Sequence, residues 1–172
     1  MKRVVVTGIG TINSTGHNVK DSFEAVVNGV CGIDTITLFD ASDFSVKIAG
    51  EVKDFDPTTV MDKKEVKKAD RFIQLGIKAG LEAMIDAGYV TQENKKVDAS
   101  IADRFGMISG SGIGGLSTIE RNSVVCETKG SRKVSPFFIP SSLANMLSGF
   151  ISIEHNLRGP SLSHVTACAA ST

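Results

Sequence analysis

Cys168 is the residue whose surroundings most clearly suggest chemistry. It lies in the segment RGPSLSHVTACAAST, residues 158–172, in which a Gly-Pro turn precedes a run of small, strand-forming residues. The pattern puts the thiol where a strand gives way to a helix, facing the positive end of the helix dipole and unpaired backbone N–H groups. That setting favours the nucleophilic thiolate and can stabilise an oxyanion formed by attack on a thioester. The alternative is that Cys168 is simply a small buried apolar residue.

A glycine cluster, GSGIGG at residues 110–115, is the second pattern with possible chemistry. Gly110, Gly112 and Gly115 fit the spacing G-x-G-x-x-G, which after a strand suggests dinucleotide binding. A strand ending in an acidic residue should then follow, but the basic turn KGSRK occupies that region. A dinucleotide-dependent oxidoreductase therefore stays as an alternative, with weak support.

Composition limits the possible classes of protein. The 172 residues contain 19 Lys and Arg and 19 Asp and Glu, so the net charge is zero and nothing attracts nucleic acid or anionic lipid globally. No apolar run approaches the length needed to cross a bilayer. Cys31, Cys126 and Cys168 lack the spacing of a metal site or a disulfide framework. We expect a cytoplasmic protein without a metal or another cofactor.

Strands and helices alternate along the chain. Apolar patterning and turn residues predict strands at 3–7, 48–52, 105–109 and 163–167, and helices at 18–28, 62–87, 116–127 and 141–154. In the longest helix, Asp62 and Glu65 have the spacing of a capping box and Gly88 marks the end. This alternation is typical of an α/β layered domain with a largely parallel sheet. Because a domain rarely stops directly after an internal strand, we expect the chain to be part of a longer product.

Four segments together resemble the β-ketoacyl-acyl-carrier-protein synthases. They are KRVVVTGIG at the start, GSGIGGL, SRKVSPFFIPS and the cysteine motif, in this order along essentially the whole chain. GIGGL and SPFFIPS are most similar to the type II elongating synthases. The resemblance implies a thiolase-like α/β fold with α-β-α-β-α layers. It also implies that residues 1–172 are the N-terminal half of the condensing-enzyme domain, that the C-terminal half is absent, and that the full-length protein is a homodimer.

The resemblance also implies a reaction for Cys168. The thiol would accept an acyl group from acyl-carrier protein, and a decarboxylative Claisen condensation with malonyl-carrier protein would follow. Two histidines and a lysine of the second half would support decarboxylation, whereas His17, His155 and His164 do not match these positions. Ile113 would line the floor of the acyl pocket, and Phe138 would reach the pocket across the dimer. For both residues, ordinary core packing is the alternative.

Five basic residues are expected to dock the acidic carrier protein, since relatives use basic residues at these positions. They are Lys64, Lys67, Lys68, Arg132 and Lys133. Solvated surface is the alternative for such residues. At the level of the whole chain, the alternative to a condensing enzyme is a non-catalytic fragment or a module that only binds carrier protein.

Overall fold

The computed structural model describes residues 2–171, with side-chain surroundings given up to residue 170. Within these residues the helices are α1 Val19–Val27, α2 Lys63–Val66, α3 Arg71–Asp86, α4 Leu116–Lys129, α5 Phe138–Ser142 and α6 Met146–His155. The strands are β1 Asp34–Thr35, β2 Ile48–Ala49, β3 Met107–Gly110 and β4 Ser161–His164. Short 3₁₀ helices cover Pro57–Thr59, Ala102–Arg104, Ser131–Lys133 and Ala167–Ser171.

The strands form two separate pairs. β1 and β2 are antiparallel, whereas β3 and β4 are parallel, with Met107 opposite Ser161 and Gly110 opposite His164. α6 contacts both β3 and β4, and α3 packs on α6. The described residues therefore form α/β layers, in which α6 covers the parallel strand pair and α3 packs on α6.

The apolar core lies along α3. Ile73, Ile77 and Leu81 recur every four residues on one face of this helix and are almost fully buried. Ile151 of α6 packs in the same cluster. Burying a side chain of this size stabilises a fold by about 1.5–3 kcal/mol. One face of α3 is thus the centre of the core.

Glycines bring backbone close to α3 on two sides. A Cβ atom on Gly76 would collide with Leu147 of α6, and one on Gly10 would collide with the backbone of Ala79 and Ala83. Because glycine has no Cβ, α6 and the segment around residues 8–11 can both approach α3 closely. These contacts fix the position of α6, which in turn supports the parallel strand pair.

Two predicted helices are interrupted. The expected helix 62–87 is wrong as one element, because Asp70 adopts an extended conformation and begins α3 as its N-cap. The Asp70 carboxylate accepts hydrogen bonds from the backbone N–H and the hydroxyl of Thr118, in α4. Gln74 donates its side-chain amide to the carbonyls of Val66 and Ala69 at the break. Hydrogen bonds to other elements therefore accompany a break in the segment that the apolar pattern predicted as one helix.

The predicted helix 141–154 is likewise two helices. α5 starts earlier, at Phe138, and ends at Ser142, where Leu143 turns extended before α6 begins. The Ser141 hydroxyl donates to the carbonyl of Lys68 at 2.6 Å. The Ser142 carbonyl accepts the N–H of Gly115, so the end of α5 bonds to the loop before α4.

The predicted capping box is wrong. Asp62 makes no side-chain hydrogen bond at the start of α2. Glu65 instead forms an ion pair with Lys68 at 2.6 Å.

The strand predictions were correct in part. Residues 3–7 form no strand, and Val4, Val5 and Val6 are exposed, because no described backbone lies alongside to form a ladder. The predicted strand 48–52 is shortened to β2. β3 begins two residues after the start of the predicted strand 105–109, and β4 begins two residues before the start of the predicted strand 163–167; their parallel register pairs these residues. The helices predicted at 18–28 and 116–127 are confirmed as α1 and α4.

Polar loops near the antiparallel pair are anchored by Glu51. Its carboxylate accepts hydrogen bonds from the backbone and hydroxyl of Thr37 and from the backbone of Leu38. The hydrogen bonds from Thr37 hold the pKa of this carboxyl below its usual value. This contact ties the loop after β1 to the segment after β2.

Candidate active site

The Cys168 thiol is exposed on a sharp turn after β4. β4 ends at His164, and Cys168 is the second residue of the following 3₁₀ helix. Ala167, directly before it, has a φ of 50°, a left-handed conformation that non-glycine residues rarely adopt. The chain thus passes from strand to helix at the cysteine, as predicted, and the thiol lies at the surface of the described residues rather than in a core.

The glycine loop, residues 110–115, packs directly against this turn. A Cβ atom on Gly110 would collide with the carbonyl of Ala170, and one on Gly112 would lie 3.7 Å from the carbonyl of Ala167. The backbone N–H of Ser111 donates to the carbonyl of His164 at 3.0 Å. Only residues without a side chain permit such an approach at Gly110. The structure therefore places the glycine loop and Cys168 in one site.

The other end of the glycine loop contacts α5. The N–H of Gly115 donates to the carbonyl of Ser142 at 3.0 Å. Gly114 has a φ of 99°, and a Cβ atom there would lie 2.5 Å from the same carbonyl. The loop is consequently held between the Cys168 turn and α5.

The expected position of a dinucleotide pyrophosphate is already occupied by protein. In such proteins the pyrophosphate binds the N–H groups at the start of the helix after the glycines. Here the Asp70 carboxylate accepts the N–H of Thr118 at 2.9 Å, in the first turn of α4. A Cβ atom on Gly115 would lie 3.1 Å from the same carboxylate. The glycine spacing therefore serves protein packing, and the dinucleotide interpretation is wrong.

Ile113 and Phe138 occupy different positions relative to this loop. Ile113 is the only bulky side chain of the loop and is 63% exposed. Phe138 is half-buried and starts α5, with its N–H bonded to the carbonyl of Ser135. The described residues do not enclose the Ile113 side chain, so its predicted role at the pocket floor stays a prediction, as does the role of Phe138 across a dimer.

The five basic residues lie in two segments. Lys64 and Lys67 are exposed within and directly after α2, while Arg132 and Lys133 are exposed in a 3₁₀ turn after α4. Lys68 is half-buried, and its ammonium lies 5.7 Å from the ring centroid of Phe137. Lys64 lies within the four-residue α2, and Lys67 and Lys68 lie between α2 and α3, so none of the three is inside a long helix.

The three histidines take part in packing or in secondary structure. His155 is fully buried, and its Nδ1 lies 2.6 Å from the carbonyl oxygen of Lys95. His17 packs edge-on against the Phe55 ring. His164 ends β4. These contacts agree with the packing interpretation of His17 and His155.

Sequence reasoning missed Asp70 as part of the site. Its carboxylate is buried and joins the start of α3 to the start of α4, beside the glycine loop. A signal was available, since an aspartate directly before an apolar helical run is a typical N-cap. The apolar periodicity of the longer segment obscured it.

Among residues 2–171, none of the helices is both long and apolar enough to span a membrane. Likewise, no cluster of three or more His, Cys, Asp or Glu side chains in this range is arranged to hold a metal ion.

Sequence comparison gives consistent relatives. The family described as "Beta-ketoacyl synthase, N-terminal domain" matches residues 1–172. The 3-oxoacyl-[acyl-carrier-protein] synthase 2 of Vibrio harveyi is 48% identical over 168 residues, which cover 97% of this chain and 39% of that protein. The protein of the same name from Coxiella burnetii is 44% identical over 167 residues, with the same two coverages. The chain thus spans about two fifths of the length of these relatives.

Solved structures give the same assignment. The ishigamide ketosynthase/chain length factor superposes with a TM-score of 0.79 at 28% identity, covering 96% of this chain and 40% of that one. A β-ketoacyl synthase from Burkholderia phymatum shares the fold with the same TM-score. The α/β architecture is therefore that of the thiolase-like ketosynthases. With an exposed cysteine after β4, a glycine loop packed on its turn and a family match over its full length, the chain belongs to the β-ketoacyl synthase family and corresponds to its N-terminal domain.

Proposed function

We propose that this chain supplies the acyl-accepting half of a 3-oxoacyl-acyl-carrier-protein synthase of fatty-acid elongation. The names of the relatives at 44–48% identity support this reaction class. Residues 1–172 would form the N-terminal half of the condensing-enzyme domain, and the remaining groups would come from a C-terminal half. The complete protein would be a cytoplasmic homodimer that needs no cofactor.

The exposed thiol on its left-handed turn is the observation that most supports the proposal. A non-glycine residue in the left-handed region costs about 1–2 kcal/mol, which the rest of the fold must offset for Ala167 to keep this conformation. Hydrolases use a comparable strained strand-to-helix turn to present a serine nucleophile. The turn here presents Cys168 in the same way, with small neighbours that leave room for an acyl thioester.

The first step is transfer of the acyl group. The Cys168 sulfur attacks the carbonyl carbon of acyl-carrier protein, and a new C–S bond forms through a tetrahedral oxyanion. The bond to the carrier's sulfur then breaks, and that sulfur takes the proton that Cys168 lost. Backbone N–H groups at the start of the turn are suited to stabilise the oxyanion.

The second step is condensation. Malonyl-carrier protein loses carbon dioxide, and the carbanion attacks the acyl carbon, so that a C–C bond forms and the Cys168 thiolate is released. We assign decarboxylation to groups outside residues 1–172, as the family resemblance implies. The same resemblance supports binding of both carrier-protein substrates by the five basic residues.

Acylation of the complete protein tests the proposal. With labelled acyl-carrier protein, Cys168→Ala should abolish covalent labelling, because no other thiol lies on the turn. Cys31→Ala and Cys126→Ala are matched controls, since both thiols are also exposed. Both controls should retain labelling at the wild-type rate.

Two outcomes would contradict the proposal. Labelling of the Cys168→Ala variant at the normal rate would assign the nucleophile elsewhere. Carrier-protein binding without any labelling of the wild-type protein would favour a module that only binds carrier protein.

A further inference from the structure

A continuous set of buried hydrogen bonds links the two basic segments through α4. Asp70 follows the first segment, Lys64 to Lys68, and its carboxylate accepts the Thr118 hydroxyl at 2.6 Å. One turn further along α4, the Asn122 side chain donates to the Thr118 carbonyl at 2.8 Å. Asn122 also accepts the backbone N–H of Ser135 at 3.0 Å, directly after the second basic segment.

These side chains are shielded from water. Thr118 and Asn122 are 3% and 5% exposed, and Asp70 is 9% exposed. Buried polar groups that lose a partner cost more than exposed ones, so a satisfied buried set fixes its geometry strongly. The buried residues of α4 are both polar, Thr118 and Asn122, so hydrogen bonds rather than apolar contacts hold its buried face.

A second contact joins the same segments. The Ser141 hydroxyl donates to the Lys68 carbonyl, and the Lys68 ammonium lies over the Phe137 ring. Both partners lie in the stretch that follows Arg132 and Lys133. The end of the first basic segment is thus held against the stretch that follows the second basic segment.

We propose that Asp70, Thr118 and Asn122 are positioning residues that set the two basic segments into one docking surface for an acidic carrier protein. This inference rests on the proposed function. Electrostatic docking depends on the arrangement of charges, and a shift between two charged segments weakens recognition without removing any charge. The three residues act through the basic segments and do not themselves touch the substrate.

Thr118→Val in the complete protein tests the inference. Valine has nearly the shape of threonine but removes the hydroxyl bond to Asp70, while the backbone bond remains. We expect the KM for acyl-carrier protein to rise roughly threefold or more, with kcat and the acylation rate from acyl-coenzyme A unchanged. Thr118→Ser should restore the wild-type KM, because serine keeps the hydroxyl.

A double-mutant cycle with Arg132→Glu distinguishes an effect on docking from general destabilisation. If Thr118 acts through the docking surface, Thr118→Val should add little to the KM of an Arg132→Glu protein. Ser148→Ala, which deletes another buried hydroxyl, bonded to Ser163, is the matched control. It should affect both acyl donors equally.

Three results would overturn the inference. They are equal losses with both donors, full additivity in the cycle, and a Thr118→Ser protein as impaired as Thr118→Val. Failure of the wild-type protein to label Cys168 from either donor would instead refute the proposed function, and this inference with it.

Discussion

Ala167 influences the site more than its small side chain suggests. Its left-handed backbone turns the chain between β4 and the 3₁₀ helix, and the carbonyl of the same residue packs near Gly112. A Cβ atom at Gly112 would make only an ordinary contact with this carbonyl, whereas one at Gly110 would collide with the carbonyl of Ala170, so the turn and the glycine loop constrain each other at Gly110. At the scale of single residues, the site therefore depends on one strained conformation and on positions without a Cβ atom.

Ile113→Phe tests the predicted pocket floor. An acyl chain in an apolar pocket gains about 0.8 kcal/mol for each buried CH₂ group. A larger side chain at the floor removes room for several such groups and adds overpacking strain when a long chain enters. In the complete protein, acylation of Cys168 by medium and long donors should fall roughly tenfold or more, and acylation by the shortest donors should change little. Measurement of acylation rates with donors of graded length checks this.

Ile113→Val is the matched control, since it removes one methylene and should leave long donors unaffected. An equal loss at all donor lengths with Ile113→Phe would show that Ile113 belongs to the core instead.

At the scale of elements, close backbone approach determines how α3 meets its neighbours. α6 crosses it at Gly76, and the segment around Gly10 lies against its far end. The two contacts place α3 between the N-terminal segment and the helix that supports β3 and β4. A displacement of either neighbour should therefore also shift β4, the strand that precedes Cys168.

Gly10→Ala should destabilise the complete protein. Its Cβ would collide with the backbone of Ala79 and Ala83, which cannot move aside as a flexible side chain can. We expect a loss of about 1–3 kcal/mol in the free energy of unfolding, measured in urea. Gly149→Ala should gain about 0.5–1 kcal/mol, because Gly149 lies inside α6 with nothing within 4 Å of the added Cβ. Equal effects of the two substitutions would contradict the packing argument.

Charge reversal tests the proposed docking surface. Lys67→Glu or Arg132→Glu should raise the KM for acyl-carrier protein roughly threefold or more, because each replaces an attraction by a repulsion. Acyl-coenzyme A lacks the acidic protein surface and should be almost unaffected. Added salt should weaken the wild-type interaction with carrier protein in parallel.

Lys96→Glu is the control for this experiment, since Lys96 is exposed outside both basic segments. A KM increase as large as that of Lys67→Glu would assign the effect to net charge instead of to a defined surface.

At the scale of the whole molecule, many apolar side chains lie at the surface of the described residues. Val4, Val5 and Val6 are 95%, 71% and 82% exposed, and Ile108 and Leu162 of the parallel pair are 66% and 55% exposed. Apolar patches of this kind are typical of surfaces that contact other protein. The chain spans about two fifths of its relatives' length.

The isolated 172-residue chain should not condense acyl groups. Groups that the resemblance assigns to the second half would be missing, and the exposed apolar faces should promote self-association. Sedimentation and turnover of malonyl-carrier protein by the purified chain check the two expectations. Steady carbon dioxide release by a monodisperse 172-residue chain would contradict them, and the complete protein serves as the positive control.

The sequence by itself determined the family, the α/β class and the position of Cys168 after a strand. These depend on local patterns: a motif, alternating apolar runs, and caps such as Asn18 at the start of α1, which need no distant partner. The tertiary structure decided where the long helices break and where the strands pair. Asp70 interrupts the predicted helix 62–87, where its carboxylate is both the local N-cap of α3 and the acceptor for Thr118 of α4, and β4 takes its register from β3. Local sequence offers the cap, but the bond to Thr118 and the strand register depend on groups far apart in the chain, which local patterns cannot specify.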